Sequence, residues 1–143
     1  MRNRNQPSGM AALEDYRMHI EPGIVHGAKM ALAYATAAGG LAMTAKLAWD
    51  DLKAHGALPL ATRSIIATIA VFIFFEVLPH FPVGVSEVHF ILGTTILLLL
   101  GVAPAAIGLA TGLLIQGVFF APSDVPMYFV NVTTLLVPLF GIA

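Results

Sequence analysis

The chain contains no cysteine, which excludes disulfides and any thiolate metal site. A metal ion could be held only by nitrogen, oxygen or methionine sulfur. Charge is scarce as well. Charged residues make up 10% of the chain and the net charge is -1, where an average soluble domain carries roughly 25% charged residues. So neutral a chain offers nothing to nucleic acid. There is no Gly-x-x-x-x-Gly-Lys-Ser/Thr motif to cradle ATP phosphates, so any energy source must be another chain. No nucleophile–base pair is apparent, which argues against an enzyme. Residues 1–17 also lack the apolar core of a signal peptide, since Arg2 and Arg4 are followed by Gln6-Pro7-Ser8-Gly9.

Apolar surface is what the chain has in excess. Hydrophobic residues make up 58% of it, with a mean hydropathy of +0.86, so the natural solvent is the lipid bilayer. The fold class expected is an all-α membrane protein, a polytopic helical bundle with about five spans. Residues 1–17 read as a polar N-terminal extension, and 18–143 as one transmembrane domain. The extension is native, an expression remnant, or translated sequence ahead of a true start at Met18.

The first helix is expected from about Gly23 to Asp50, with Pro22 in its first turn, where a missing N–H costs nothing. Asp50-Asp51-Leu52-Lys53 then marks an exit into water. After the Gly56-Ala57-Leu58-Pro59 break, the second helix runs from Leu60 to Leu78. The third has Ser86 as N-cap and Glu87 in its first turn, and continues through Val88 to Gly101. Pro104 opens the fourth, which reaches Phe120. The turn 121–126 leads to the fifth, which starts near Met127 and is still apolar at Ala143. Spanning takes about 20 apolar residues, so the third and fifth segments are short. The alternative is one bent hairpin over residues 86–121. Leu135-Leu136-Val137-Pro138-Leu139-Phe140 has no polar cap, which reads as a chain truncated before its last helices.

If each segment spans once, the chain before Gly23, the loop 79–88 and the turn 121–126 share one face. That face gathers His19, His80 and His89, with His26 one turn inside the first helix, and also Glu21, Glu87 and Asp124. Only His55 lies opposite. Lys46, Lys53 and Arg63 crowd one short connection, which the positive-inside rule makes cytoplasmic. Arg2, Arg4 and Arg17 oppose this orientation if the extension is native. The histidines then face outward.

Imidazole suits zinc, copper, iron and nickel. A single histidine at a helix end is ordinarily a solvated cap, but several on one face favour a metal site. His19 and His89 lead the candidates. If Met18 is the start, its free amine, the next amide nitrogen and the His19 Nδ1 form fused chelate rings. One further imidazole completes a planar four-nitrogen site that suits Ni(II) or Cu(II), with low-spin Co(II) also fitting. Any residue ahead of Met18 removes that amine. Glu76 and His80, spaced i,i+4, orient a ligand or form an ordinary helix-end pair. Gln116, Asn131, Thr133 and Thr134 are expected to hydrogen-bond between helices, and Asn131 could also orient a ligand. Ala31, Ala35 and Gly39, with Ala38 and Ala42 beside them, and Gly108-x-x-x-Gly112 permit close helix approach, either within the chain or to a partner.

Met18-His19-Ile20-Glu21-Pro22-Gly23 resembles the Met-His-Ile-Pro-Glu-Gly type start of the CbiM/NikM cobalt and nickel substrate-binding subunits of energy-coupling factor ABC transporters. Val83 to Gly93, with Ser86 and His89, resembles that family's glycine-serine-histidine segment. Leu113-Leu114-Ile115-Gln116-Gly117-Val118-Phe119-Phe120 resembles its Leu-Ile-Gln-aromatic helix end, and Asn131 falls at a characteristic asparagine. The resemblance covers roughly residues 18–143. It implies metal ligation by Met18, His19 and His89, with Co(II) or Ni(II) as transported substrate and no organic cofactor. It also implies a membrane coupling subunit, two ATPase subunits in trans, and residence in a bacterial or archaeal cytoplasmic membrane. Glu21 and Pro22 are swapped relative to the family pattern, and residues 1–17 block the amine unless they are absent from the mature chain. The competing readings are a stand-alone passive metal permease, against which the nearly featureless stretches 64–75 and 91–100 count, and a structural membrane subunit whose histidines cap helices.

Overall fold

A computed structural model describes residues 27–74, 81–83, 86–88 and 93–143, with the backbone alone for 81–83 and 86–88. Among the described residues five α-helices carry the fold, with α4 at its centre. Helix α1 (Ala28–His55) is rich in alanine, leucine and methionine, all strong helix formers. It has no side-chain cap; instead the Met30 and Ala31 N–H groups each donate to the Gly27 carbonyl at 3.1 Å. The helix does not leave at Asp50 but continues to His55, with Lys53 and His55 in the last turn, where cations suit the negative end of the helix dipole.

Helix α2 (Ala57–Phe72) begins one residue after Gly56, not at Leu60. The same device recurs between α3 (Gly93–Leu100) and α4 (Val102–Phe119). Gly56 has φ 88° and ψ 172°, and Gly101 has φ 92° and ψ 165°. This backbone region is open to glycine almost alone. Each glycine is followed at the third position by proline, Pro59 or Pro104. Proline is tolerated there because the N–H groups of a first helical turn have no intrahelical acceptor. The glycine is therefore the whole break, and the proline already belongs to the next helix.

Ser86 is not a helix N-cap, and Glu87 is not in a first helical turn. Strands β1 (Phe81–Val83) and β2 (Ser86–Val88) pair antiparallel, with Phe81 opposite Val88, Pro82 opposite Glu87 and Val83 opposite Ser86. Phe81, Val83 and Val88 in the two strands favour extended chain, and this outweighs the capping signal of a lone serine.

A 3-10 turn (Pro122–Met127) joins α4 to α5 (Tyr128–Ile142). Leu109 of α4 and Leu136 of α5 are fully buried in the core, together with Ala37, Ala67, Val71 and Val132. α4 is buried around most of its circumference, as expected of a helix apolar on every side. The Gly108-x-x-x-Gly112 pattern packs within the chain: these two glycines lie directly on Ala67 and Val71 of α2. Thr68 and Thr111 share a 2.8 Å hydrogen bond across the same contact. On α1, by contrast, Ala31, Ala35, Ala38, Gly39 and Ala42 are exposed.

Two segments among the described residues, Val102–Phe119 and Asp124–Ile142, are long and apolar enough to cross a membrane, and α2 is a shorter apolar helix. The Gly56 and Gly101 junctions sit together at one end of the bundle, where Arg63 reaches the Leu100 carbonyl. At the opposite end Met30 and Ala33 of α1 pack against Met127 and Val130.

Candidate functional site

The α4–α5 elbow forms around buried polar groups in an otherwise apolar stretch. α4 closes through the Gln116 carbonyl, which accepts the N–H groups of Phe120 at 2.9 Å and Ala121 at 3.0 Å. Pro122 then starts the 3-10 turn, which is short and sharp enough to turn the chain back. The Asp124 N–H donates to the Ala121 carbonyl at 2.9 Å. This geometry brings Gln116, Asp124, Tyr128 and Asn131 to the walls of one small cavity of about 10 Å³, room for roughly a single water. Gln116, Asp124 and Asn131 are all buried, and Gln116 and Asp124 are engaged in polar interactions. The Tyr128 hydroxyl donates to the Ala110 carbonyl at 3.1 Å.

A buried carboxylate and two buried carboxamides within apolar helices are costly unless satisfied. Side chains of this kind inside membrane segments mark functional positions by default. The elbow shares its end of the bundle with the start of α1. Asn131 is held one turn into α5, at the end of the bundle where α1 begins. Asp124 was legible only as one acid on the histidine face. The signal for its burial is its place between two prolines, Pro122 and Pro126, in a turn flanked by apolar helices.

Met18, His19, Glu76, His80 and His89 lie outside the described residues, as do Glu21 and His26. Glu87 is described by its backbone pairing with Pro82 alone. Among the described residues no group of three or more His, Asp or Glu side chains could hold a metal ion; the sole histidine among them is His55. Of the expected interhelical hydrogen bonds, Thr133 makes two to α1, 3.3 Å with the Thr36 hydroxyl and 3.4 Å to the Ala33 carbonyl. Thr134 does not: its hydroxyl donates within α5, to the Asn131 carbonyl at 2.7 Å.

At the other end, sequence reading missed an ion pair. Asp51 does not mark an exit into water. Its carboxylate meets the Arg63 guanidinium at 2.7 Å and the His55 Nδ1 at 3.0 Å, and its side chain is 14% exposed. The signal was present as an acid at the end of one helix and an arginine one turn into the next.

Comparison with known families places the chain among transport components of membranes rather than among enzymes: the model for the cobalt uptake substrate-specific transmembrane region, CbiM, matches residues 19–143. Neither the curated proteins nor the solved structures compared gave a match. With the match running from His19 through the hairpin, both glycine junctions and the polar elbow, the chain belongs to the CbiM family of cobalt-uptake membrane proteins.

Proposed function

We propose that this protein is the substrate-capture subunit of an ATP-driven cobalt or nickel uptake transporter, which binds the divalent ion at the outer face of the cytoplasmic membrane. The observation that carries the reading is the family match over residues 19–143. Residues 1–17 are then an extension ahead of a functional start at Met18. In this reading the chain is multi-pass, with about five spans. The end with Lys46, Lys53 and Arg63 is cytoplasmic, and Trp49 at the same end suits the membrane–water boundary, with the Lys53 ammonium 5.0 Å from its ring centre.

Met18, through its amine, and His19 and His89, through their imidazoles, ligate the ion. Nitrogen donors of this kind serve Co(II) and Ni(II) alike. Asn131 orients the ligands from the elbow, and Glu76 with His80, and Glu87, are further candidates for orienting them. The exposed small-residue stripe on α1 receives the membrane coupling subunit, because small side chains let helix backbones approach closely in lipid. Two ATPase subunits supply the energy that this chain has no motif to harvest.

The test is a Ni(II) and Co(II) titration of protein beginning at Met18, beside the full chain and the His19→Ala and His89→Ala variants. Tight binding is expected only for the Met18 form with both histidines. It should weaken as pH falls, since an amide proton must leave when the ion binds. Equal affinity in wild type and the double histidine variant would instead make this a structural subunit.

A further inference from the structure

Between α3 and α5 the bundle leaves a groove of about 270 Å³. Its walls are Gly93 and Thr94 of α3 and Thr134, Pro138 and Ile142 of α5, and the buried Leu109 of α4 lies at its base. Helix α3 itself is well seated, since Ile96, Leu97 and Leu100 all pack on the core. The gap lies at its start, where glycine and threonine stand opposite threonine and proline. These side chains are too short to close it.

The lining is apolar. The Thr134 hydroxyl is turned back onto its own helix, where it donates to the Asn131 carbonyl at 2.7 Å. The only other hydroxyl on the walls is that of Thr94. A buried water needs about two to four polar partners, whereas an apolar void of roughly 150 Å³ stays dry and takes up benzene. The groove is also narrow. Thr134, Pro138 and Ile142 are spaced i, i+4, i+8, so they span about 12 Å of α5. Over that length 270 Å³ makes a slot of about 20 Å² in section. A helix with its side chains is about 10 Å across, roughly 80 Å², and cannot enter. A single hydrocarbon chain can. Lastly, the groove is continuous with the outer surface: Pro138 and Ile142 are exposed, Ile142 by 58%. In a transmembrane family that apolar surface meets lipid.

We propose that the α3–α5 groove binds one acyl chain of a bilayer phospholipid, laid along α5 from Ile142 to Thr134 over Leu109. Helix α5 runs away from the elbow, so the chain enters from the leaflet at the Gly101 end of the bundle. An unfilled slot forfeits the dispersion contacts of its walls. The acyl chain restores them and wedges between two helices whose facing side chains do not meet. It is held as part of the packing, unlike the lipid that slides over the rest of the surface.

The test is photolabelling of the purified full chain in phosphatidylcholine nanodiscs whose lipid carries a diazirine midway along one acyl chain, with adducts located by mass spectrometry. Leu109 and Leu139 line the groove and are only 1% and 3% exposed; both should be labelled through it. Ile65 and Ile69, exposed on α2, report ordinary surrounding lipid. Thr134→Phe fills the groove and should abolish the Leu109 and Leu139 adducts while Ile65 and Ile69 stay labelled. Thr94→Leu fills it from the opposite wall and should give the same loss, which decides the matter if Thr134→Phe does not fold. Label at Ile65 and Ile69 with none at Leu109 or Leu139 in wild type overturns the site. So does label at Leu109 and Leu139 that survives both substitutions. If filling the groove turns a dimer into a monomer, the occupant is a second copy of this chain and the lipid proposal falls.

Discussion

Gly108 of α4 lies so close to Ala67 of α2 that an added Cβ would stand 2.5 Å from the Ala67 Cβ and 2.8 Å from its carbonyl carbon. The opposing atoms include backbone, so they cannot rotate away, and α2 would have to retreat. Gly108→Ala gains about 1 kcal/mol of helix propensity but forces overpacking that costs about 1–3 kcal/mol and strips the Thr68–Thr111 bond, 2.8 Å across the same contact. The net expectation is a loss of stability. Thermal unfolding of the purified protein in detergent should give a lower midpoint than wild type; an unchanged or higher midpoint would mean the two helices are not in this contact.

Gly39 of α1 is the opposite case. A Cβ there meets nothing within 4 Å, and the residue stands in the exposed stripe with Ala35 and Ala42. Nothing inside this chain requires its smallness. Gly39→Leu should leave the unfolding midpoint of the isolated protein unchanged or slightly raised, since glycine disfavours helix by about 1 kcal/mol relative to better formers. If the stripe receives the coupling subunit, the same variant should fail to co-purify with that subunit. Intact co-purification would remove the stripe from the interface.

The contrast between the two glycines shows how far the sequence reaches. Both belong to small-residue patterns, and spacing alone leaves both open to packing or partner contact. The difference lies in which helix ends up at the centre: α4 is surrounded, whereas one face of α1 is left bare. Helix existence was legible because long apolar runs in a chain with so little charge have few alternatives. Boundaries were less so. Pro59 and Pro104 punctuate the sequence strongly, yet each lies inside the helix it was taken to precede or open, because the glycine three residues earlier makes the turn. Ser86 carries a capping signal that hairpin pairing overrides. The Asp51–Arg63 pair was hidden because a charged residue near a membrane boundary is ordinarily solvated. Only the sharpness of the Gly56 turn brings the two together. The elbow was half legible. Asn131 and Gln116 stand out as polar residues among apolar ones, but their convergence with Asp124 depends on the 3-10 turn, which leaves no periodic mark.

Asn131 offers the sharpest separation of a functional from a structural role at that elbow. It is buried one turn into α5, beside Gln116 and Asp124. Two residues on, Thr133 is joined to Thr36 of α1 at 3.3 Å, also donates to the Phe129 carbonyl at 2.8 Å, and stays away from the cavity walls. If Asn131 orients a metal ligand, Asn131→Ala should weaken Ni(II) or Co(II) binding by roughly 10–100-fold, the usual consequence of removing an outer-sphere partner. Thr133→Val removes the interhelical hydrogen bonds to Thr36 and Ala33, each worth about 0.6 kcal/mol in membrane proteins, so it should lower the unfolding midpoint slightly and leave metal affinity alone. Isothermal titration on both variants, in parallel with thermal unfolding, separates the two effects. An Asn131→Ala protein that loses stability and keeps wild-type affinity would assign the residue to packing.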